Sequence, residues 1–462
     1  MKISVIGTGY LGAVHAAGMA ELGHEVLGVD SDAHKIAELA AGRAPFHEPG
    51  LGELLARGVA AGRLSFSTSL EDAAAFADVH FVCVGTPQEP GSDRADLRFV
   101  DAVVAGLAAH LVRPALIVGK STVPVGTARR LAALAASAAR PGVAPALAWN
   151  PEFLREGFAV EDTLAPDRLV FGVDDASSEA VLRTVYATVL ERGTPTHVTD
   201  LETAELVKVA ANSFLATKIS FINSMAEVCE AVGADVTVLA DAIGADARIG
   251  RKFLNAGVGF GGGCLGKDIR AFRARGHELG VGQALEFLAE VDSTNDRRRQ
   301  RVLDLAAARF DGDLVGRRVT VLGAAFKPDS DDVRDSPALH VARGLHDLGA
   351  VVTVHDPAAV DNARRVAPQL GYADDLGDAV AGAELLVLLT EWRQYREADP
   401  RLLASLVEDA VVVDGRNALD TPLWTAAGWT VHALGRPVSA PVWNVTPFVE
   451  TASPVRQEEA VA

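Results

Sequence analysis

The sequence predicts an α/β fold in which two Rossmann-like parallel-sheet domains are joined by a central all-helical domain. Short apolar runs alternate with amphipathic stretches over about the first 195 residues, and this alternation returns near residue 317. Alternating strands and helices predict a parallel sheet with helices on both faces. Between these regions the pattern indicates long helices and one Gly-rich loop. We expect domains at residues 1–198, 199–300 and 301–436, and a disordered tail at residues 437–462.

The apolar runs place the individual elements. N-terminal strands are expected at residues 2–6, 25–29, 79–84, 115–119, 146–149 and 169–173, with helices at 10–22 and 97–111. Residues 201–231 contain no Gly or Pro and repeat apolar residues every three or four positions, which indicates one long helix. Further helices are expected at 235–244, 267–279 and 282–310, and C-terminal strands at 318–323, 351–355, 385–389 and 410–413. The long helix has more apolar surface than one monomer covers, so we expect a homodimer.

Composition and charge exclude several classes of protein. The 462 residues are 49% hydrophobic and 23% charged, which is typical of a globular chain. The net charge of -18 disfavours a nucleic acid partner. Three widely spaced cysteines, Cys83, Cys229 and Cys264, exclude a disulfide scaffold. No apolar run is long enough for a membrane span, and the first residues resemble a strand and not a signal peptide, so we expect a cytoplasmic protein with no membrane partner. The 12 histidines lack metal-ligand spacing, so no metal is expected.

The first predicted strand leads into GTGYLG at residues 7–12, which opens a predicted helix. In this context Gly7 permits a tight turn, Gly9 lets the backbone approach a pyrophosphate, and Gly12 lets the helix pack against the strand. The next strand ends in Asp30, whose carboxylate would bind the adenosine ribose and repel a 2′-phosphate. The pattern therefore predicts NAD, and Lys35 could reach the same ribose. The alternative is a Gly turn without a ligand.

Two further predicted strands end in a hydroxyl residue close to a proline. Thr86 lies in VGTP and Thr122 lies in KSTVP. Ligands bind beyond the carboxyl ends of parallel strands, so both hydroxyls are expected to face the dinucleotide crevice. Hydroxyl residues followed by proline are also common in ordinary turns, and this alternative stays open.

The most unusual segment is a loop that we call the Cys loop, residues 253–268. It contains six glycines between residues 257 and 266, and these permit close approach to a ligand. Cys264 precedes a predicted helix, with Lys267 nearby, and both features lower the pKa of a thiol. We therefore predict a reactive thiol at Cys264, whereas Cys83 and Cys229 are expected to be buried core residues.

Several charged residues are candidates for the same site. Lys208 and Asn212 lie four residues apart on the long helix, on a face expected to be largely buried, where they could stabilise an oxyanion. An ion pair of Lys208 with Glu205 or Glu230 is the alternative. Glu152 and Glu156 follow a predicted strand, and one of them could act as a general base for a water. Lys327, Arg334 and Arg416 follow C-terminal strands and could bind phosphates.

Together these motifs resemble the UDP-glucose/GDP-mannose dehydrogenase family of nucleotide-sugar 6-dehydrogenases. The resemblance extends to about residue 436 through, in order, GTGYLG, VGTP, STVPVGT, NPEFLREG, ELVKVAANSFLATKISFINSMAE, GRKFLNAGVGFGGGC, FKPDSDDVRDSP and DGRN. It implies two Rossmann-like domains and a helical dimer-forming domain. It also implies a two-step, four-electron, NAD-dependent oxidation of UDP-glucose at C6 to UDP-glucuronate through a cysteine-bound thiohemiacetal and thioester.

The resemblance assigns a role to each matching residue. Cys264 matches the nucleophile, Lys208 and Asn212 match the oxyanion-stabilising groups, and Asp268 matches an aspartate near the thiol. Glu152 matches the residue that assists hydrolysis, and Thr122 matches the hydroxyl that holds the water. The cofactor positions are Gly7, Gly9, Tyr10, Leu11, Gly12, Asp30, Lys35, Thr86, Thr122, Glu156, Lys267 and Arg334. The substrate positions are Glu152, Phe153, Leu154, Arg155, Lys208, Asn212, Arg248, Phe253, Leu254, Asn255, Gly257, Gly261, Lys327 and Arg416.

The chain departs from the family at two positions of the Cys loop. Gly266 replaces the usual Pro, which loosens the loop, and Gly263 stands where Ser is common. Another nucleotide-sugar 6-dehydrogenase, above all one for GDP-mannose, is the nearest alternative. The sequence FGGG at residues 260–263 argues against UDP-N-acetylhexosamine dehydrogenases, which usually carry His there. A single-step 2-hydroxyacid dehydrogenase would need no Cys264, and a non-enzymatic NAD-binding regulator would not need the full set of charged residues.

Overall fold

The structure is a computed structural model, and it describes residues 1–441. The N-terminal sheet has eight strands: β1 (Lys2–Ile6), β2 (Glu25–Val29), β3 (Leu64–Ser67), β4 (Val79–Val82), β5 (Leu116–Gly119), β6 (Ala146–Trp149), β7 (Leu169–Gly172) and β8 (Thr196–Thr199). Their order in the sheet is β3-β2-β1-β4-β5-β6-β7-β8. Nine helices connect them: α1 (Tyr10–Glu21), α2 (Ala33–Ala40), α3 (Leu51–Ala60), α4 (Leu70–Phe76), α5 (Arg98–His110), α6 (Thr127–Ala138), α7 (Ala159–Leu164), α8 (Ala176–Val185) and α9 (Ala187–Glu191).

The prediction of an all-parallel N-terminal sheet is correct for the first six strands and wrong for the last two. β6 and β7 pair in the antiparallel sense through Trp149 and Gly172, so β7 and β8 run opposite to the others. A buried run of four apolar residues has the same pattern in either direction, so the sequence carries no signal for this reversal. The sequence analysis also missed β3 and β8, because these edge strands are partly exposed and lack a continuous apolar run.

The central region consists of helices, as predicted. They are α10 (Leu201–Val232), α11 (Val236–Gly244), α12 (Leu265–Glu278) and α13 (Phe287–Arg309), with a 3-10 turn at Gly282–Leu285 before α13. The carboxylate of Asp200 accepts the N–H of Thr203 and caps α10, and Gly233, with φ of 74°, ends it. α13 continues through the expected boundary at residue 300 and ends at Arg309. Within residues 1–441, no helix is long and apolar enough to cross a membrane.

The C-terminal sheet has six strands that all pair in parallel. They are β9 (Arg318–Leu322), β10 (Val351–His355), β11 (Gly371–Tyr372), β12 (Leu385–Leu388), β13 (Val411–Asp414) and β14 (Thr430–Ala433), in the order β11-β10-β9-β12-β13-β14. The helices are α14 (Pro337–Asp347), α15 (Val360–Val366), α16 (Leu376–Val380), α17 (Arg393–Arg396), α18 (Pro400–Ala404) and α19 (Thr421–Ala426). The α/β class with two Rossmann-like sheets is confirmed, although the edge strands β11 and β14 were missed.

The first residues of the predicted disordered tail are ordered. The N–H of Ser439 donates to the carbonyl of Val431 over 3.1 Å, and the N–H of Val431 donates to Ser439 over 2.8 Å. This bridge extends the edge of the C-terminal sheet at β14, which the Pro- and Ser-containing sequence did not indicate. The remaining predicted tail, residues 442–462, lies outside the described residues.

Candidate active site

The loop between β1 and α1 has the backbone that dinucleotide binding requires. Gly7 has φ of +88°, and a Cβ atom at Gly12 would collide with the carbonyl oxygen of Gly7. A Cβ atom at Gly9 would meet nothing within 4 Å, so this glycine faces open space at the N-terminus of α1. Backbone N–H groups and the helix dipole at this point favour a pyrophosphate. The geometry therefore fits NAD at this loop.

Asp30 lies at the end of β2, beside the same loop. Its carboxylate accepts the N–H of Thr8 over 2.9 Å, the N–H of Asp32 over 3.1 Å and the Nζ of Lys35 over 2.9 Å. Burial alone would raise the pKa of Asp30, but these donors hold it below its ordinary value. The carboxylate is therefore anionic at neutral pH and able to accept hydrogen bonds from a ribose. Lys35 pairs with Asp30, and its contact with the ribose stays a prediction.

Asp30→Ala is expected to raise the KM for NAD several-fold, because the ribose loses its acceptor, and to reduce the preference for NAD over NADP. Steady-state kinetics with both cofactors measure this effect. Asp32→Ala is the matched control, since Asp32 caps α2 through the N–H groups of His34 and Lys35. That control should lower thermal stability without changing cofactor preference. Equal use of NADP by the unmodified chain would contradict the role assigned to Asp30.

The glycines of the Cys loop allow the C-terminal domain to pack closely against the loop. A Cβ atom at Gly262 would lie 2.8 Å from the ring of Phe326, and one at Gly263 would lie 2.6 Å from Cζ of Arg334. A Cβ atom at Gly261 would collide with the backbone of the same C-terminal segment. The N–H of Gly262 also donates to the carbonyl of Arg334 over 2.9 Å. At these positions the loop packs closely against the C-terminal domain. Contact of Gly261 with the substrate stays a prediction.

Gly266 is the second residue of α12, where proline is tolerated. A Cβ atom there would lie 3.1 Å from the guanidinium of Arg270 and 3.2 Å from Oδ2 of Asp335, both at the ends of flexible side chains. Gly266→Pro is expected to leave turnover unchanged or raise it, and to increase the free energy of unfolding by about 0.4–1 kcal/mol. Urea unfolding and steady-state kinetics test this, with Gly266→Ala as the control for crowding by Cβ. A large loss of activity would mean that the backbone conformation of this Cys loop differs from that of its relatives.

Cys264 precedes the first residue of α12 and is accessible to solvent. Desolvation by the surrounding protein and the nearby Asp268 carboxylate raise the pKa of this thiol, while Lys208 and Lys267 act in the opposite direction. The predicted lowering of the pKa is therefore wrong for this structure. The helix terminus and the lysines are present as expected, but Nζ of Lys267 lies 2.6 Å from Oδ1 of Asp268, which offsets its charge.

A hydrogen-bond network beside the thiol joins residues of the central helices to the N-terminal sheet. Nδ2 of Asn212 donates to Oδ2 of Asp268 over 2.6 Å, and both residues are buried. Lys267 contacts Oδ1 of Asp268 and lies 3.4 Å from the hydroxyl of Thr86. That hydroxyl donates to the carbonyl of Thr122 over 2.7 Å. Five of the predicted site residues, from four distant parts of the sequence, are therefore in direct contact.

Lys208 lies one turn before Asn212 on α10 and is half-buried. No salt bridge of Lys208 is found among the described residues, and its Nζ atom lies 5.6 Å from the centre of the Phe153 ring. The alternative ion pairs do not form: Glu205 accepts N–H groups at the start of α6, and Glu230 pairs with arginines of α13. The ammonium is thus available to a bound molecule.

Glu152 follows β6, and both of its carboxylate oxygens have protein donors. Oε1 accepts the N–H of Phe153 over 2.7 Å and that of Leu154 over 2.9 Å. Oε2 lies 3.0 Å from Nζ of Lys120. Burial would raise the pKa of Glu152, but Lys120 and the two N–H groups hold it below its ordinary value. The carboxylate is therefore anionic, as a general base requires.

Glu156, Lys327 and Arg334 join the N-terminal and C-terminal domains at the cleft. Nζ of Lys327 donates to the carbonyl of Glu156, whose carboxylate lies 3.5 Å from Arg334 and 3.4 Å from the hydroxyl of Ser330. Burial and the charge of Asp332 raise the pKa of Glu156 to about 7. Burial lowers the pKa of Lys327. Glu156 thus connects two predicted phosphate-binding groups, Lys327 and Arg334.

The start of the Cys loop links the central helices to the C-terminal domain. Leu254 is buried between α10 and α11, and the N–H of Gly257 donates to Oδ1 of Asn223 over 2.8 Å. Asn255 is exposed, and Phe253 is 39% exposed with φ of 66°. A bulky residue in this left-handed region carries backbone strain, which is typical of functional sites.

Three predicted substrate-binding arginines have protein partners. Arg155 pairs with Asp162 over 2.7 Å, and Arg248 pairs with Asp246 over 2.6 Å on an exposed turn. Arg416 donates to three backbone carbonyls on both sides of the contact between the Cys loop and the C-terminal domain. Their contacts with substrate stay predictions.

Two buried residues of the site were missed by the sequence analysis. Lys120 pairs with Glu152, and its position next to a predicted site hydroxyl in KSTVP could have indicated it. Glu48 accepts the hydroxyl of Tyr10 and the N–H of Gly157, which connects the dinucleotide loop to the segment that carries Glu156. No local pattern marks Glu48.

Comparison with known proteins agrees with this geometry. Residues 1–190, 202–297 and 320–421 match, in order, the NAD binding, central and UDP binding domains of the UDP-glucose/GDP-mannose dehydrogenase family. The UDP-glucose 6-dehydrogenase of Rhizobium meliloti is 42% identical over 95% of this chain and 100% of its own length.

Two solved structures have similar folds. A UDP-glucose dehydrogenase from Pyrobaculum islandicum matches with a TM-score of 0.84 and 42% identity over 90% of this chain and 94% of that one. A GDP-mannose dehydrogenase from Pseudomonas aeruginosa matches with a TM-score of 0.52 and 31% identity over 91% of this chain and 97% of that one. The chain therefore belongs to the UDP-glucose/GDP-mannose dehydrogenase family and is an NAD-dependent oxidoreductase.

Proposed function

We propose that this chain oxidises UDP-glucose at C6 to UDP-glucuronate in two steps, through a thiohemiacetal and a thioester on Cys264. The observation that carries the proposal is the convergence of charged groups on this thiol. Lys208 and Asp268 of the central helices, Glu156 of the N-terminal domain and Lys327 of the C-terminal domain all lie close enough to act on it electrostatically. The relatives described as UDP-glucose dehydrogenases are also more similar to this chain than the GDP-mannose enzyme is.

The first oxidation removes a proton from the C6 hydroxyl and a hydride from C6, which leaves an aldehyde. NAD, when bound, supplies a hydride acceptor for each of the two oxidations. The ammonium of Lys208 and the amide of Asn212 would stabilise the negative charge that develops on the C6 oxygen. Asn212 is oriented for this by its hydrogen bond to Asp268.

The second oxidation requires the aldehyde to be held. The sulfur of Cys264 adds to the carbonyl carbon and the oxygen takes up a proton, which gives a thiohemiacetal. Loss of that proton and of a second hydride leaves a thioester. Water then attacks the acyl carbon, Glu152 accepts a proton from it, and the carbon–sulfur bond breaks to release the carboxylate and restore the thiol.

A substrate screen tests the proposal. The purified chain is incubated with NAD and UDP-glucose, GDP-mannose or UDP-N-acetylglucosamine, and NADH is followed by absorbance. We expect UDP-glucose to give two NADH per molecule consumed, without free aldehyde. A preference for GDP-mannose would support the alternative substrate. One NADH per molecule would exclude the second oxidation, and no NADH with any nucleotide sugar would exclude the proposal.

We further propose a homodimer, because α10 presents an apolar stripe that the monomer leaves exposed. Phe214 is 66% exposed, and Phe221, Val228 and Val232 are 50%, 54% and 71% exposed. Their spacing of seven, seven and four residues places them on one face of the helix. An apolar stripe of this length on a surface helix is typical of an interface.

Light scattering at micromolar concentration should therefore give the mass of a dimer. Phe221→Glu is expected to shift the equilibrium toward monomer, because it places a charge in the apolar stripe. Phe99→Glu is the matched control: Phe99 is 52% exposed on α5 of the N-terminal domain, outside the stripe. A monomer in the unmodified chain would refute the proposed assembly. The cytoplasmic location expected from the sequence stays a prediction.

A further inference from the structure

Lys120 is a buried lysine to which the proposed reaction assigns no role. It follows β5 and is 3% exposed. Its Nζ atom lies 3.0 Å from Oε2 of Glu152 and 3.0 Å from Oδ1 of Asn150. The chain has only eight lysines among 43 basic residues, so a lysine at this buried position is unusual here. A buried ammonium is costly unless it is paired, and its only charged partner within 4 Å in residues 1–441 is Glu152.

Lys120, the deeply buried partner, binds Glu152 from the interior of the N-terminal domain. The side chain of Lys120 is 4% exposed and that of Glu152 is 18% exposed, so Glu152 is the more accessible partner of the pair. Oε1 of Glu152 is already held by the N–H groups of Phe153 and Leu154. Lys120 therefore completes the set of donors that fixes the orientation of the carboxylate.

Besides Glu152, the ammonium of Lys120 contacts neutral groups. Oδ1 of Asn150 also accepts the hydroxyl of Tyr186 over 2.6 Å, and that hydroxyl lies 3.5 Å from Nζ of Lys120. The other titratable groups that face Lys120 are Cys83 and His15. Burial raises the pKa values of Cys83 and Tyr186 to about 12 and lowers that of His15 well below its ordinary value. These directions keep all three groups neutral near pH 7, so Glu152 and Lys120 are the charged pair of this cluster.

We propose that Lys120 is a positioning residue for thioester hydrolysis: its ammonium holds Glu152 anionic and correctly oriented to accept a proton from the attacking water. This inference rests on the proposed function, because the thioester forms on Cys264. As the water oxygen bonds to the acyl carbon, its proton moves to Glu152 and the carbon–sulfur bond breaks. Lys120 keeps its own proton throughout and does not touch the reacting atoms.

The proposal predicts a specific pH dependence. A general base must be deprotonated, so hydrolysis accelerates as the pH rises through the pKa of Glu152. Burial alone would raise that pKa, and Lys120 lowers it. Lys120→Met removes the charge but keeps most of the side-chain length. The acidic limb of the hydrolysis profile should therefore move to higher pH by about one unit or more.

The experiment separates the two oxidations from hydrolysis. With enzyme in excess over UDP-glucose, Lys120→Met should still release two NADH per molecule. With substrate in excess at pH 7, its turnover should fall about tenfold or more, because Glu152 loses the contact that orients it toward the water. Intact-mass analysis should then show an acyl group on Cys264. Lys218→Met is the control, since Nζ of Lys218 donates to the carbonyls of Ile249 and Gly250, and within residues 1–441 it forms no salt bridge. This control should keep the unmodified pH profile and accumulate no thioester.

A double variant keeps the test decisive if Lys120→Met alone does not fold. Glu152→Gln removes the carboxylate, so adding Lys120→Met in that background should slow hydrolysis no further. A further loss of more than about tenfold, or a Lys120→Met enzyme with unchanged pH profile and no thioester, would overturn the role of Lys120. If the unmodified chain forms no NADH from UDP-glucose, the proposed function fails. If it forms two NADH and the Lys120 variants behave like the control, only this inference fails.

Discussion

Replacing Cys264 with alanine is expected to reduce steady-state oxidation of UDP-glucose by roughly 10³-fold or more, because the aldehyde loses the sulfur that holds it for the second oxidation. Binding of NAD and UDP-glucose should persist, since the dinucleotide loop around Gly7 and Gly9 does not include the thiol. Calorimetry measures binding, and NADH absorbance measures turnover. Full two-NADH turnover by Cys264→Ala would exclude covalent catalysis at this residue.

Cys264→Ser and Cys229→Ala complete this test. A serine hydroxyl adds poorly to an aldehyde and, once acylated, forms an ester that is more stable than a thioester, so added mass should accumulate slowly on the intact protein. Cys229 is buried on α10 in the core beside α11, and its alanine variant should keep normal turnover. Because the pKa of the Cys264 thiol is raised, its alkylation by iodoacetamide in the ligand-free enzyme should accelerate as the pH rises above neutrality.

The sequence was sufficient to predict the elements that have a strong local pattern. The run at β1, the glycines of residues 7–12 and the uninterrupted α10 each carry enough pattern to predict their structure. The same pattern could not predict that β7 and β8 reverse direction, because a four-residue buried strand is equally apolar in both directions. The two-residue β11 is too short to have any pattern.

At the site, the sequence predicted the chemical groups better than their environments. It identified Asp268 and Asn212, and the structure places them in contact. It could not predict the raised pKa of Cys264, because the largest cause is desolvation by the surrounding protein, which local spacing does not reveal. It also could not predict the partner of Lys120, because residues 120 and 152 meet only when β5 and β6 pair in parallel. Long-range contacts of this kind depend on topology and not on local spacing.

Lys208→Met should lower kcat for UDP-glucose by about 10²–10³-fold, the usual effect of losing one donor to a developing oxyanion. The KM should change little, because the interaction becomes strong only as the C6 oxygen acquires negative charge. Lys208 suits this role since its ammonium has no carboxylate partner among residues 1–441, whereas Lys267 on α12 is already paired with Asp268. Lys218→Met removes a lysine from the same helix and should lower thermal stability while leaving kcat near normal, because its Nζ atom binds the backbone carbonyls of Ile249 and Gly250. Equal losses of kcat in both variants, or a loss confined to KM for Lys208→Met, would show that Lys208 supports the fold or binds the ground state and does not stabilise the oxyanion.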